Sequence, residues 1–296
     1  MEILITKSRE ELEEKTTSYV RYFDPLVQEF SEGVARIPEL QNEWVFVYNT
    51  ATMRWPIRKL EYSYVIERAL GQHGKNLKAL DVGCGVTPFA LLLKRILRAN
   101  VVAVDCDHQL VRLMNQYQKT IFNDEIQYCL GDISELPFED DTFDFASCIS
   151  VIEHLNEGTD LDVIKELLRV VKKGGSLTLT IDFTAGYRHR FNLWLYRLRK
   201  LFEYVRLGEW AYVLGRTRRI INNVQATPDC VGPYTKSKLR DEFLSGFGLN
   251  VPDAQKNLDG VSLEDIHVFW ADNWFPGCEY SRNGRDYVSL GIELIK

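Results

Sequence analysis

Three aspartates and a glycine turn are spaced so that they could bind one ligand. Asp81 precedes the turn Gly83-Cys84-Gly85, Asp105 comes 20 residues after Gly85, and Asp132 follows one glycine further along. Glycines allow the backbone to turn tightly and to approach a ligand closely. Asp105 can accept hydrogen bonds from ribose hydroxyls, Asp132 from an exocyclic adenine amine, and Asp81 can orient a cationic amino group. This set fits a ligand with adenine, ribose and an amino-acid tail, and without phosphate.

A dinucleotide site is a weaker interpretation of the same turn. Such a site usually has the pattern G-x-G-x-x-G, and the third glycine position here is Pro88. This departure disfavours a pyrophosphate at the helix N-terminus. We expect Thr87 to be the N-cap and Pro88 the first helical residue. The two glycines alone are also compatible with a strand-to-helix turn that binds nothing.

The elements that position these residues alternate between strand and helix. The sequence predicts helices between about residues 8 and 70, and then strands with intervening helices. The predicted strands cover 78–82, 100–105, 125–130, 143–150 and 177–183, and the helices cover 89–97, 108–121 and 161–171. This alternation is typical of a parallel sheet, whose ligands bind beyond the carboxyl ends of the strands. The glycine turn and the acids lie at such ends.

Several motifs, in order and spacing, resemble the class I S-adenosylmethionine-dependent methyltransferases. They lie at 80–85, 104–105, 131–138, 143–144 and 151–155, and the match continues through 168–177. A weaker similarity at 234–249 suggests the last crossover helix of that fold, and 287–296 suggests its terminal strand. The resemblance implies an α/β, Rossmann-like, seven-stranded and mostly parallel sheet with an antiparallel last strand. N-terminal helices and a helical insertion after the fifth strand are expected in addition.

The resemblance also implies a cofactor, S-adenosyl-L-methionine, with S-adenosyl-L-homocysteine as product. The glycine turn would line the methionine part, Asp105 would hold the ribose, and Asp132 would frame the adenine. The expected cofactor-binding residues are Asp81, Gly83, Cys84, Gly85, Asp105, Cys106, Asp132, Ile133, Ile149, Ser150 and Tyr62. The third glycine of the family falls at Thr87, so the start of the helix is expected to differ slightly.

Two residues are candidates for catalysis. His154 could be a general base, which a hydroxyl acceptor needs and a good amine acceptor does not. Asp182, at the end of the fifth predicted strand, could be a base, a substrate anchor or a helix cap. For His154 the alternative is a residue that only forms local hydrogen bonds. We predict no metal, because His108 and His267 have no partners at ligand spacing.

The predicted organisation has four parts. They are an N-terminal helical cap (1–75), a cofactor-binding core (76–184), a basic aromatic helical insertion (185–232) and the C-terminal part of the core (233–296). The chain has a net charge of −6, yet 186–220 contains nine basic and two acidic residues together with eight aromatic ones. This segment could be a lid over the acceptor, a helix on an anionic membrane or a contact with another subunit. In the cap, Arg58 and Tyr62 are candidate walls of the cofactor site, although Arg58 also suits a solvated face.

These observations predict a methyltransferase that acts in line on an O or N atom of a small or medium-sized, anionic or lipid-linked acceptor. An NAD-dependent oxidoreductase and a non-catalytic S-adenosylmethionine-binding regulator are the alternatives. No nucleic-acid partner is expected, because the basic residues occupy one short stretch. We expect a cytoplasmic protein, since the start of the chain is not a signal peptide and the six cysteines include no C-x-x-C pair.

Overall fold

The structure is a computed structural model of the chain. It describes residues 2–6, 13–41, 43, 46, 52–54, 56–155, 159–184, 234–235, 262–271 and 287–296. The basic segment 186–220 lies outside the described residues. The same holds for the expected crossover helix at 234–249, apart from its first two residues.

One sheet organises the described residues. Its strands are β1 (Glu2–Thr6), β2 (Lys78–Val82), β3 (Asn100–Asp105), β4 (Gln127–Leu130), β5 (Phe143–Ile149), β6 (Val171–Thr184), β7 (Tyr234–Thr235), β8 (Ser262–Ala271) and β9 (Tyr287–Ile295). The order is β1-β8-β9-β6-β5-β2-β3-β4, and β7 pairs with β6. Every pairing is parallel except those of β9 with β6 and β8. The predicted fold class is confirmed, and β1 and β7 extend the sheet beyond the seven expected strands.

Helices connect and flank these strands. They are a π-helical turn (Tyr19–Phe23), α1 (Asp24–Ala35), α2 (Pro38–Gln41), α3 (Pro56–Leu70), α4 (Phe89–Leu97), α5 (His108–Phe122), a 3₁₀ turn (Ile152–His154) and α6 (Asp160–Val170). The predicted helix at 89–97 has the bounds of α4, and the predicted strands at 78–82 and 100–105 have those of β2 and β3. Among the described residues, no helix is both long enough and apolar enough to cross a bilayer.

The main difference from the predicted elements lies at the start of β6. The sequence predicts a strand from residue 177, whereas β6 begins at Val171. Val171 pairs with Phe143 of β5, and the chain terminus binds the residues that follow: the Gly174 N–H donates to the Lys296 carbonyl (2.7 Å), and the Lys296 N–H donates to the Gly175 carbonyl (3.1 Å). Because these groups find partners in the last strand, the lysine-glycine stretch remains extended after α6 ends.

Side chains that alternate along the strands contribute to two hydrophobic cores, one on each face of the sheet. The first core packs β2 and β3 against α1, α3, α4 and α5. The second packs the opposite strand faces against α6. Three aromatic side chains fix the cap to the sheet layer: the ring of Tyr62 lies 4.3 Å from that of Phe23 and 5.3 Å from that of Phe89. The cap is therefore packed against the helix that begins at the glycine turn.

Candidate active site

Backbone hydrogen bonds bring the ends of adjacent strands together. The N–H groups of Gly83 and Cys84 donate to the Val104 carbonyl at 2.8 and 3.2 Å. The Gly131 N–H donates to the Asp105 carbonyl at 3.0 Å. The three predicted aspartates therefore lie at the carboxyl ends of β2, β3 and β4, which are neighbours in the sheet.

The glycine turn requires both of its glycines. Gly83 and Gly85 have φ values of +67° and +56°, in the left-handed region. A Cβ atom on Gly83 would lie 2.2 Å from Cγ2 of Val151, so the next loop packs directly on this backbone. The side chain of Val151 therefore covers one side of the turn.

Asp105 is bonded to this turn through its side chain. Its Oδ2 accepts from the Gly85 N–H at 3.0 Å, and its Oδ1 accepts from the Asp107 N–H at 2.9 Å. The side chain is half-buried. A carboxylate fixed at both oxygens keeps its remaining lone pairs in a defined direction.

The start of α4 differs from its prediction by one residue. Pro88, not Thr87, precedes the first helical residue Phe89, so the predicted N-cap is wrong. The Thr87 hydroxyl donates to the Cys84 carbonyl at 3.0 Å and lies 3.4 Å from the Phe89 N–H, which donates to it. The threonine therefore closes the glycine turn, and this use of its hydroxyl moves the helix start onward.

Asp81 is a buried acid at the end of β2. It is 3% exposed, and the Ser147 hydroxyl donates to its Oδ1 at 2.8 Å. Burial raises its pKa to about 7, the charge of Asp105 adds to the rise, and the Ser147 hydrogen bond opposes it. A buried carboxyl in this state would gain from a cationic ligand group. No local sequence pattern indicated a role for Ser147.

Asp132 has a different environment. It is exposed, and its Oδ1 accepts from both the backbone N–H (2.8 Å) and the hydroxyl (2.7 Å) of Ser134. These bonds lower its pKa, so it is an anion at neutral pH. Ile133 beside it is half-buried and offers an apolar surface.

Arg169 of α6 holds the loop that follows Asp132. Its guanidinium donates to the carbonyls of Leu136 (3.1 Å) and Phe138 (2.9 Å) and to Glu166 and Asp140, both at 2.7 Å. Glu166 in turn accepts from the Leu136 N–H at 2.7 Å. The motif at 168–177 contained this arginine, but its role depends on a contact across about 30 residues that the local pattern does not show.

The cap contributes a polar cluster that the sequence interpretation missed in part. Glu61 of α3 is fully buried and contacts Arg58, Ser150 and Ser289. Arg58 also contacts the Ser150 hydroxyl, so the interpretation of Arg58 as part of a solvated face is wrong. Ser150 has a φ of +52° and directly follows Ile149, the last residue of β5. Ile149 is half-buried. The two expected residues at this strand end are therefore next to the cap helix.

Tyr62, the other expected cap residue, is buried. Its pKa is raised mainly by that burial, and a hydrogen bond with Thr87 acts in the opposite direction. Its hydroxyl therefore lies at the glycine turn. Cys84 is buried in the first core, whereas Cys106 is exposed. Cys106 directly follows the last residue of β3.

The two candidate catalytic residues occupy different positions. His154 ends the 3₁₀ turn after β5, its side chain is exposed, and its N–H donates to the Val151 carbonyl at 2.9 Å. The backbone of Asp182 is paired with Ser289 across β6 and β9, and its side chain lies outside the described residues. The described part of the chain contains no group of three metal-binding side chains.

Comparison with known proteins identifies the central part of the chain. Residues 80–179 match the protein family described as a methyltransferase domain. The sterol 24-C-methyltransferase of Yarrowia lipolytica is 35% identical over 102 residues, which are 33% of this chain and 26% of that protein. The demethylmenaquinone methyltransferase of Bacillus cereus is 29% identical over 159 residues, which are 49% and 66%. The chain therefore spans less than two thirds of either relative.

Solved structures cover more of the chain at lower identity. Geranyl diphosphate C-methyltransferase from Streptomyces coelicolor is 14% identical and has a TM-score of 0.49, with 79% of this chain and 77% of that one covered. A SAM-dependent methyltransferase from Methanosarcina mazei is 19% identical and has a TM-score of 0.44, with 76% and 95% covered.

The matched segment runs from β2 into β6 and contains the glycine turn together with all three strand-end acids. Residues 80–179 are thus similar to a methyltransferase domain, and the resemblance to class I S-adenosylmethionine-dependent methyltransferases lies in the same segment.

The hydrogen-bond acceptors of the described site fit S-adenosylmethionine. Asp81, Asp105 and Asp132 place three carboxyl groups at neighbouring strand ends. Such a set suits ribose hydroxyls, an adenine amine and an ammonium group, and it repels a pyrophosphate. The alternative of an NAD site is disfavoured on the same ground.

Proposed function

We propose that the chain is an S-adenosylmethionine-dependent methyltransferase that methylates an O or N atom of a small or medium-sized acceptor. The observation that carries this proposal is the Asp105 carboxylate bonded to Gly85 at the glycine turn. This hydrogen bond supports the proposal because it holds a carboxylate, which can accept from ribose hydroxyls, beside the glycine turn.

Each of the other residues has a proposed task at this site. Asp81 orients the cofactor's ammonium group, and Asp132 with Ile133 frames the adenine. Ile149 and Ser150 border the sulfonium at the end of β5. Cys84 and Tyr62 pack at the glycine turn, and the burial of both side chains supports this packing role. Cys106 lies at the open edge beyond the ribose position.

The bound cofactor supplies an activated methyl group, so the protein mainly has to hold the acceptor in line with it. A general base is needed only when the acceptor atom must lose a proton during transfer. His154 is the proposed base because its exposed side chain follows the strand end that borders the sulfonium. Asp182 is proposed as an acceptor anchor on the neighbouring strand.

The proposed acceptor class comes from the sequence relatives and from the charge of one segment of the chain. The two sequence relatives act, by their names, on a sterol and on demethylmenaquinone. Because the aligned residues are mainly those of the cofactor domain, these names suggest compounds for a first screen. An anionic or lipid-linked acceptor also suits the charge of residues 186–220.

Calorimetric titration of the full chain with S-adenosylhomocysteine and, separately, with NAD tests the cofactor. We expect saturable 1:1 binding of S-adenosylhomocysteine and none of NAD, and the reverse would contradict the proposal. Release of S-adenosylhomocysteine from S-adenosylmethionine is then measured with a sterol, a demethylated quinone and an anionic isoprenoid. Binding without turnover on any acceptor would favour the regulatory alternative.

A further inference from the structure

Glu61 joins the cap helix to the ends of three strands. Its Oε1 accepts from the Ser150 hydroxyl at 3.1 Å and contacts the Ser289 hydroxyl, and its Oε2 lies 2.6 Å from Nη1 of Arg58. Ser150 follows β5, Ser289 belongs to β9, and Ser289 also contacts the Ile181 carbonyl of β6. We call these four residues (Arg58, Glu61, Ser150 and Ser289) the Glu61 network.

Burial makes the contacts of Glu61 necessary. The side chain of Glu61 is fully buried, as is Ser289, whereas that of Arg58 is 21% exposed. A carboxylate removed from water must be compensated by hydrogen bonds and an opposite charge. A buried ion pair is nevertheless weak support for stability, since apolar residues of similar size often do as well. A geometric task is therefore the better explanation for an acid at this position.

The backbone of Ser150 shows what that task is. Its φ of +52° lies in the left-handed region, which serine adopts at an energetic cost. Its N–H donates to the Thr180 carbonyl at 3.0 Å, and its hydroxyl lies between Glu61 and Arg58. Strained residues persist where their surroundings fix them, and they are concentrated at functional sites. Here Glu61 and Arg58 supply that fixation from the cap helix.

We infer that Glu61 is a positioning residue that holds the Ser150 turn in the shape that cofactor binding requires. It acts through Ser150 and does not itself touch the cofactor. The inference rests on the proposed function, in which Ser150 borders the sulfonium. It implies that docking of α3 and binding of the cofactor stabilise each other, although α3 lies outside the segment that matches the family.

The test compares Glu61→Gln with Glu67→Gln in the full chain. Glu67 is on the same helix and undergoes the same chemical change, but its side chain is 51% exposed. Calorimetry with S-adenosylhomocysteine is done well below the unfolding transition, so that a purely structural loss of stability leaves affinity unchanged. We expect Glu61→Gln to weaken binding about tenfold and Glu67→Gln to leave it unchanged.

A second variant separates positioning from general damage. Glycine adopts a positive φ without the support of neighbours, so Ser150→Gly should restore most of the affinity lost in the Glu61→Gln background. Hydrogen exchange in the cofactor-free protein adds a measurement that is independent of binding: the Ser150 amide should exchange faster in Glu61→Gln.

The outcomes distinguish this inference from the function on which it rests. Absence of S-adenosylhomocysteine binding to the wild-type chain would overturn the proposed function. Wild-type binding with an unchanged affinity in Glu61→Gln, or without recovery in the double variant, would overturn the inference alone.

Discussion

The Oδ2 atom of Asp105 lies 3.0 Å from the backbone nitrogen of Gly85, across 20 positions of sequence. This hydrogen bond ties the end of β3 to the glycine turn after β2. The carboxylate proposed to bind the ribose and the turn proposed to line the methionine part are therefore held together without a ligand, and pre-organisation of this kind reduces the entropy cost of binding.

Removal of the Asp105 carboxylate should weaken cofactor binding. Hydrogen bonds to charged groups contribute about 1.5–3 kcal/mol each, so we expect Asp105→Ala to raise the dissociation constant of S-adenosylhomocysteine at least tenfold. Calorimetry measures the change. Asp162→Ala is the control, because that side chain is 79% exposed on α6. An unchanged affinity in Asp105→Ala would remove this residue from the site.

Substitution of Gly83 should be far more damaging than substitution of Gly174. Both have positive φ, which costs about 1–2 kcal/mol for an alanine. A Cβ atom on Gly83 would also lie 2.2 Å from Cγ2 of Val151, whereas a Cβ atom on Gly174 would have no neighbouring atom within 4 Å. Gly83→Ala should therefore lower the free energy of unfolding by clearly more than Gly174→Ala, measured by urea denaturation.

A double variant tests how much of the stability loss in Gly83→Ala comes from the clash with Val151. Adding Val151→Ala to Gly83→Ala removes the methyl groups that clash, and it should recover part of the lost stability. Equal losses in the two glycine variants would show that the close packing of Val151 on the turn has no energetic consequence.

Asp81 should make cofactor binding pH-dependent. Its pKa is about 7 in the folded chain, whereas the ordinary value is 3.8. An ammonium group beside it favours the ionised form, so binding should expel a proton at pH values below 7. Affinity for S-adenosylhomocysteine should then rise from pH 5 to 7 by up to about tenfold per unit and level off above. Titration in buffers of different ionisation enthalpy counts the protons released.

The same shift has an opposite consequence for stability in the absence of ligand. Because the folded state holds the Asp81 proton more tightly than the unfolded state, stability should decrease as pH rises from about 4 to about 7. Asp81→Asn should abolish both this trend and the proton release. Identical binding enthalpies in all buffers for the wild-type chain would contradict the assignment.

His154 should matter for turnover and not for cofactor binding. Once an acceptor is known, His154→Ala should lower kcat substantially while the dissociation constant of S-adenosylhomocysteine remains unchanged, because its exposed side chain lies beyond the Ser150 turn. A variant with wild-type kcat would exclude a role as base.

Local sequence was sufficient for much of the core. The apolar periodicity of Phe89 to Leu97 and the strand ending at Asp105 were predictable because both patterns are complete within ten residues. The mostly parallel sheet with an antiparallel last strand followed from the resemblance to a known family. The three strand-end acids were likewise recognisable, since each stands at a strand-to-loop transition.

Other features depend on contacts that no local pattern encodes. The burial of Glu61 requires β5 and β9 to meet α3, and Ser289 lies 228 positions away from it. The early start of β6 involves pairing of Val171 with Phe143 of β5, and the Thr87 hydroxyl donates to the Cys84 carbonyl within the glycine turn. These features are recognisable only in the three-dimensional structure, because each depends on contacts beyond a local sequence pattern.

Arg169 should be required for the shape of the loop that frames the adenine. Its guanidinium donates to the carbonyls of Leu136 and Phe138 and to Glu166. Removal of the guanidinium takes these hydrogen bonds away, and the Leu136 carbonyl and Glu166 keep their backbone donors. We expect Arg169→Ala to cost about 2 kcal/mol of stability and to weaken S-adenosylhomocysteine binding. Lys165→Ala on the same helix, with a side chain 57% exposed, should change neither. If the loop contacts only the adenine, as proposed for Asp132 and Ile133, affinity for adenosine should fall by the same factor as affinity for S-adenosylhomocysteine. A loss confined to stability would show that Arg169 supports the fold without shaping the cofactor site.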